Sequence, residues 1–403
     1  MKADTSKTLR PARAAPVVAL CGAVALLEGY DIQAIGVAAP KLAPALHLAP
    51  KVLGAVFTGG MVGLVLGAAL GGWLGDRMRR RWLLTMAVFV FGLFSLATGF
   101  APDAVSLTAA RFLTGLGLGA AMPNLINIII EVSPPQWRSR LVTAMSCGMP
   151  AGGAASSLFA VYAFQHLGWR ALFIVGGVLP LALLPFLLSL PETGGRHAEH
   201  ARAHRPSIGA ALFGDGRALV TTLLWTTFGL TLLVLYLMLN WLPSLVTSKG
   251  FTASNGAQAA LAFNAVSILG GLSLSVLVDR RGPRAPVAIA AVGMIASLLG
   301  LAAANSLALV LACSGACGFF LLGGLYSLYG VAPMYYPKAV RGMSTGAAVA
   351  VGRVGSIIGP FAAGQLVALG VGASGLALAM APVVLVSGLA ATLMATIGRP
   401  QPE

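Results

Sequence analysis

The chain has 403 residues, of which 58% are hydrophobic and only 9% charged. A soluble globule carries roughly 25% charged residues; with so little polar surface most of this chain must be solvated by lipid, which excludes soluble enzymes, nucleic-acid binders and secreted domains. The formal net charge of +15 comes from 26 Lys and Arg against 11 Asp and Glu, and in a membrane protein such an excess belongs on cytoplasmic loops.

A helix needs about 20 apolar residues to cross a bilayer. Charges, prolines and glycines divide the sequence into twelve such spans, which predicts an all-α membrane protein. The first, 17–39, follows Lys2, Lys7, Arg10 and Arg13 and contains Glu28, Asp31 and Gln33. Its two acids, and the many similar runs after it, mark an uncleaved span rather than a signal peptide. The second, 52–75, begins near Phe57 and repeats glycine every fourth residue, from Gly59 through Gly63, Gly67 and Gly71 to Gly75, a face on which helices approach closely. The third is 82–100. The fourth, 104–131, holds Arg111, Asn124 and Asn127 and ends at Glu131; the fifth, 140–165, is expected to bend at Pro150; the sixth is 169–190. A polar stretch rich in charge and histidine, 191–217, then divides six spans from six. The second set runs 218–247 with Tyr236, Asn240 and Trp241, 254–278 with Asn264, 285–303, 306–332 with Tyr326 and Tyr329, 341–369 with Arg353 and a bend expected at Pro360, and 373–397. The expected organisation is a tail 1–16, a bundle 17–190, a central loop 191–217, a bundle 218–397 and a tail 398–403. Cys21, Cys147, Cys313 and Cys317 all lie in apolar runs and imply no disulfide framework.

With both termini cytoplasmic, twenty cations fall on inside segments and four, Lys41, Lys51, Arg170 and Lys249, fall outside. That asymmetry predicts a multi-pass protein of the cytoplasmic membrane with its termini inside. Arg111 and Arg353 lie within spans. An internal repeat is visible at one offset: Asp76 and Asp279, Pro134 and Pro337, and Arg138 and Arg341 are each 203 residues apart. Each half therefore has an Asp-Arg loop after its second span and a Pro-x-x-x-Arg loop after its fourth. Two six-helix halves in parallel repeat would enclose a central site.

The loop Gly72 to Arg81, GWLGDRMRRR, resembles the signature after the second helix of the major facilitator superfamily, with Arg79 where that pattern usually has glycine. The second copy, SVLVDRRGPR, keeps Asp279, Arg280 and Gly282 but has Ser275 for the leading glycine. Leu107, Arg111, Gly115 and Gly117 match the superfamily's proton-linked motif in the fourth span. LLEGYDIQAIGVAAP, RFLTGLGLGAAMPNLI, LNWLP and AVAVGRVGSIIGP further resemble the aromatic acid:proton symporters, and among them bacterial transporters of 3-hydroxyphenylpropionate. The family's usual acidic pair in the first helix appears as Glu28 and Asp31. The resemblance covers the whole chain and implies the major facilitator fold, an aromatic acid substrate and coupling to protons.

A charge at the bilayer centre costs at least about 2.5–3.5 kcal/mol, so each one needs a reason. Glu28 and Asp31, three residues apart, share a helix face and resist ionising together, so they are the candidate proton couplers; the alternative is a pair of structural carboxylates. Arg353 lies twelve residues past Arg341, about 18 Å along a helix and near the midplane. Its planar fork fits a carboxylate, which makes it the candidate substrate clamp. A charge pair with Asp31 or Glu28 is the alternative, and the two roles are not exclusive. Arg111 is read as an electrostatic control on the acidic pair, or more simply as a tie between helices. Asp76, Arg77, Asp279 and Arg280, with Glu131, Arg138, Arg140 and Arg341, are expected at a cytoplasmic gate. An aromatic acid needs apolar walls with a few polar contacts; Trp241, Tyr236, Tyr326, Tyr329 and Phe57 are candidate walls, and Gln33, Asn124, Asn127, Asn240 and Asn264 candidate contacts.

The expected function is proton-coupled import of an aromatic carboxylate, hydroxyphenylpropionate-like or benzoate-like, by alternating access. A proton-coupled exporter of lipophilic compounds would share the fold and Arg111 but would need no fixed cation for its substrate. An enzyme is not expected: 191–217 is too short for a catalytic domain, and no HExxH pair, phosphate-binding loop or nucleophile elbow occurs. No cofactor is implied. His197, His200 and His204 share a solvated loop that argues against a metal site. The expected partners are the acid, protons and the bilayer, with no nucleic acid and a monomer as the default state.

Overall fold

A computed structural model describes residues 11–75, 77–192, 208–214, 216–337 and 340–398, and every regular element among them is helical. In chain order the helices are α1 (Pro11–Ala45), α2 (Pro50–Gly75), α3 (Arg80–Phe100), α4 (Ala104–Val132), α5 (Arg138–Ser146), α6 (Gly148–His166), α7 (Arg170–Leu188), the short α8 (Ile208–Phe213), α9 (Ala218–Ser248), α10 (Ala253–Arg281), α11 (Arg284–Ala303), α12 (Leu307–Val331), α13 (Arg341–Ala368) and α14 (Ala373–Ile397). Short 3-10 turns follow α4 at Pro135–Trp137 and α12 at Ala332–Tyr335. Among the described residues, eleven helices are long and apolar enough to cross a membrane. The twelfth expected span is the α5–α6 pair, broken at Cys147. The break has a local cause: Pro150 has no N–H to bond the carbonyl of Ser146 four residues back, and it sits in the first turn of α6, where that donor is dispensable. At Pro360, by contrast, α13 runs on without interruption.

By packing the chain divides into two units, Met1–His47 with Val56–Ala201, and Leu48–Ala55 with Arg202–Glu403. Within the first, α1 packs on α6 and α7, and α3 on α4 and α7. Within the second, α9 packs on α13 and α14, and α11 on α12 and α14. Helix starts repeat at the same 203-residue offset as the loop motifs: Pro50 and Ala253, Ala104 and Leu307, Arg138 and Arg341, Arg170 and Ala373. Matched positions do matched work. Asp103 caps α4 by accepting the Ser106 N–H at 2.8 Å, and Ser306 caps α12 by accepting the Leu309 N–H at 3.3 Å. Arg138 donates Nε to the carbonyl of Ser133 at 3.2 Å, and Arg341 to that of Tyr336 at 3.0 Å. Each Pro-x-x-x-Arg loop thus folds its arginine back over its own proline turn. The copies differ where Arg79 replaces glycine. Gly282 ends α10 at φ +72°, a conformation that a side chain resists, whereas Arg79 is extended at φ −64° and leads directly into α3.

The glycine repeat on α2 meets α4. A side chain at Gly63 or Gly67 would land on the carbonyls of Phe112 or Leu116, so hydrogen in place of a side chain is what lets these two helices touch along their backbones. Large apolar residues on outward faces, such as Phe100 and Leu369, are exposed, as lipid-facing surfaces require. Lys249 closes one end of the second unit: its ammonium donates to the carbonyls of Ala302 and Ala304 at 2.8 and 2.9 Å, satisfying the free end of α11.

Candidate functional site

Glu28 and Asp31 sit at the middle of α1, 2% and 0% exposed, and a charge so buried needs partners. Asp31 finds them on two neighbouring helices. Arg111 on α4, itself 2% exposed, donates Nη1 to its Oδ2 at 2.9 Å and Nη2 to its backbone carbonyl at 3.2 Å. Ser95 on α3 donates its hydroxyl to the other carboxylate oxygen. That hydroxyl also lies 3.4 Å from the carbonyl of Phe173 on α7, whose ring faces the Arg111 guanidinium. One carboxylate therefore joins α1, α3 and α4, with α7 in reach. Both oxygens of the carboxylate thus accept from donors on neighbouring helices. Ser95 was not singled out by the sequence, where it is one hydroxyl in an apolar run with no charge or spacing to mark it.

In the second unit Arg353 lies partly buried on α13 and donates Nη1 to the hydroxyl of Tyr236 on α9 at 2.9 Å. Tyr329 on α12 is close enough to both to interact electrostatically, and its ring meets Phe228 edge-on at 5.4 Å. Two tyrosines, on α9 and α12, thus act on the guanidinium. Asn240, one turn along α9 from Tyr236, donates Nδ2 to the Tyr236 carbonyl at 2.7 Å. Trp241 donates Nε1 to the carbonyl of Pro360 at 3.1 Å, which ties α9 to α13. Tyr326 packs over Gly271 of α10.

The remaining expected contacts lie in helix seams. Gln33 is buried against Gly153 of α6, in the room left by that missing side chain. Asn124 donates to the carbonyls of Ala120 at 2.8 Å and Gly71 at 3.5 Å, linking α4 to the glycine face of α2. Asn264 donates to the carbonyl of Ala260 in its own helix at 2.8 Å.

At the arginine-rich helix ends, Glu131 pairs with Arg80, while Arg79 and Arg81 share Glu192 at 2.8 and 2.9 Å. Arg77 lies 3.8 Å over the ring of Trp73, and Arg140 stacks on Trp137. Asp76 lies outside the described residues, as do His197, His200 and His204. Asp279 and Arg280 are exposed at the end of α10, where a cation suits the helix dipole. No cluster of metal-ligating side chains occurs among the described residues.

The sequence profile of the Major Facilitator Superfamily matches residues 21–360. The chain is 42% identical to the 3-(3-hydroxy-phenyl)propionate transporter of Escherichia coli K12, across 96% of this chain and 95% of that one. It is 32% identical to the gallate transporter of Pseudomonas putida, across 88% and 86% of the two chains. In three dimensions it is similar to a bacterial homolog of the human lysosomal transporter Spinster, with a TM-score of 0.80, 16% identity, and 98% and 100% of the two chains covered. The chain therefore belongs to the Major Facilitator Superfamily and is a multi-pass membrane transporter, not an enzyme.

Proposed function

We propose that the protein imports an aromatic carboxylate together with protons, by alternating access between two bundles, 17–190 and 218–397, joined by the loop 191–217. The observation that carries this reading is the buried Asp31 carboxylate, held by Arg111 and Ser95 at the centre of α1. A carboxylate in that position has one way to lose its charge, which is to take a proton, and doing so releases a buried arginine. Glu28, on the same face of α1, is the second acid of the site. Arg353, oriented by Tyr236, serves as the clamp for the substrate carboxylate, and Trp241, Tyr326, Gln33, Asn124 and Asn240 are the further substrate contacts of this reading. The relatives named above for phenolic acids support the substrate class. Arg77, Asp76, Glu131, Arg138, Asp279, Arg280 and Arg341 form the cytoplasmic gate, to which the pairs of Arg80 with Glu131 and of Arg79 and Arg81 with Glu192 contribute. The protein acts as a monomer in the inner membrane with both termini in the cytoplasm, as the placement of its cations favours.

Import has an energetic rationale. An interior-negative potential opposes entry of an anion by about 2.3 kcal/mol per charge per 100 mV, and one co-transported proton cancels that term and lets the pH gradient drive accumulation. The test is uptake of radiolabelled 3-(3-hydroxyphenyl)propionate into proteoliposomes with an acidic exterior. Accumulation that collapses in Asp31→Asn and in Arg353→Ala supports acid–proton symport. Absence of accumulation, with no competition by benzoate or gallate, would overturn it and favour export of lipophilic compounds.

A further inference from the structure

Two polar groups on one face of α9 have hydrogen-bonding capacity for which no partner is found among the described residues. Tyr236, 6% exposed, accepts a hydrogen bond from Arg353, which leaves its own hydroxyl hydrogen to donate. The neighbouring positive charge makes it a stronger donor. Asn240 is 1% exposed, and its Nδ2 donates to the Tyr236 carbonyl. A carbonyl only accepts, so the orientation of the amide is fixed and Oδ1 is the acceptor that remains. That oxygen is buried with no hydrogen-bond partner among the described residues. An orphaned buried acceptor is costly unless some other molecule supplies a donor. Residues four apart stand about one helical turn from each other, about 6 Å along the axis, on the same face.

We infer that α9 measures the substrate at two points: the Tyr236 hydroxyl joins Arg353 on the carboxylate, and Asn240 Oδ1, one turn away, accepts a hydrogen bond from a phenolic hydroxyl on the ring. The inference rests on Arg353 as the carboxylate clamp and narrows the substrate class to hydroxylated aromatic acids. A phenol satisfies Asn240, whereas an unhydroxylated ring leaves the acceptor buried and unpaired. The two positions make separable contributions. Tyr236 acts on every acid, and Asn240 only on those that carry the hydroxyl.

The test is equilibrium binding of radiolabelled 3-(3-hydroxyphenyl)propionate to the purified full-length protein, with unlabelled 3-phenylpropionate as competitor. The wild type is expected to bind the hydroxylated acid about tenfold more tightly than its unhydroxylated analogue. Asn240→Leu is expected to bring the ratio to within about twofold by weakening only the hydroxylated acid, with binding of 3-phenylpropionate reporting that the site is intact. Tyr236→Phe is expected to weaken both acids by about the same factor, up to tenfold, with the ratio kept. A wild type indifferent to the hydroxyl, or an Asn240→Leu protein that keeps the wild-type ratio, would overturn the role of Asn240. If Asn240→Leu binds neither acid, Asn240→Ala is read in the same way. Unchanged affinities in Tyr236→Phe would overturn the role of Tyr236. Arg353→Ala tells the two failures apart: if it binds both acids as the wild type does, the clamp itself is wrong, and the ratio in the Asn240 variant still decides the hydroxyl contact.

Discussion

The Asp31–Arg111 pair can be tested as an energetic unit, independently of transport. Both side chains are at least 98% buried and meet at 2.9 Å. Removing one partner of such a pair typically costs about 3–5 kcal/mol, because a charge is left in a medium that cannot solvate it. The two single substitutions differ in their means of escape. In Arg111→Leu the orphaned carboxyl keeps the Ser95 hydroxyl and can shed its charge by binding a proton. In Asp31→Asn the orphaned guanidinium cannot be deprotonated. Asp31→Asn should therefore lose more, about 4 kcal/mol. For a unit of this size, at about 2–4 °C per kcal/mol, that is a fall in melting temperature on the order of 10 °C. The double variant Asp31→Asn with Arg111→Leu removes both charges and should recover at least half of that loss. The assay is thermal unfolding of the four proteins in one detergent, read as a double-mutant cycle. Additive losses, with the double variant as unstable as the two singles summed, would refute the coupling and reduce Arg111 to a tie between helices.

Two further outcomes follow from the packing and the caps. Gly67→Leu should abolish folded protein, because its side chain would enter the backbone of α4 at Leu116, whereas Gly72→Ala, on the same helix with nothing within 4 Å, should melt as the wild type does. Detergent melting of the two variants side by side makes the comparison. The Asp103 carboxyl is held below its usual value chiefly by the N–H of Ser106 that it accepts, and also by the Ser106 hydroxyl. A carboxyl with a lowered folded-state value stabilises above its unfolded value, about pH 3.9, and loses that contribution as pH falls below it. Asp103→Asn keeps a capping oxygen without the titration, so the acid limb of its melting profile should be flatter than that of the wild type.

The helices were legible because lipid makes the rule simple: apolar runs of sufficient length, cut by charge, become spans. The repeat was legible in the loops, where Asp, Pro and Arg are rare enough for a fixed offset to stand out. What escaped was chemistry carried by common residues. Ser95 is indistinguishable in sequence from the serines that merely bond their own helix, as Ser157 does with Gly153 and Ser344 with Val340. Its role comes from α3 lying beside the Asp31 carboxylate, which is a fact of packing. The break of the fifth span at Cys147 was only half legible. Pro150 announced a disturbance, but a proline frees the carbonyl four residues earlier, so the chain parts upstream of the residue that causes it. Arg79 departs from the glycine of the second copy, and the effect is an extended entry to α3 in place of the left-handed turn at Gly282.

The same offset separates what the two units share from what each has alone. Residues that build the fold recur 203 positions on in kind: Asp103 and Ser306 as caps, Pro134 and Pro337 as turns, Arg138 and Arg341 as loop staples. Residues that carry charge into the spans do not. The positions matching Glu28, Asp31 and Arg111 are Thr231, Val234 and Ser314, and the position matching Arg353 is Pro150. Thr231 shares a hydrogen bond with Ser387 at 3.1 Å, a neutral contact where the first unit places an acid. A duplicated scaffold needs the first set in both copies, since each bundle must cap its helices and turn its chain. A charge in the spans costs free energy wherever it stands, so it persists only where it is used. The buried acids with Arg111 in one unit, and Arg353 in the other, are therefore the charges that the shared scaffold does not require, and the proposed transport assigns proton binding to the first and substrate binding to the second.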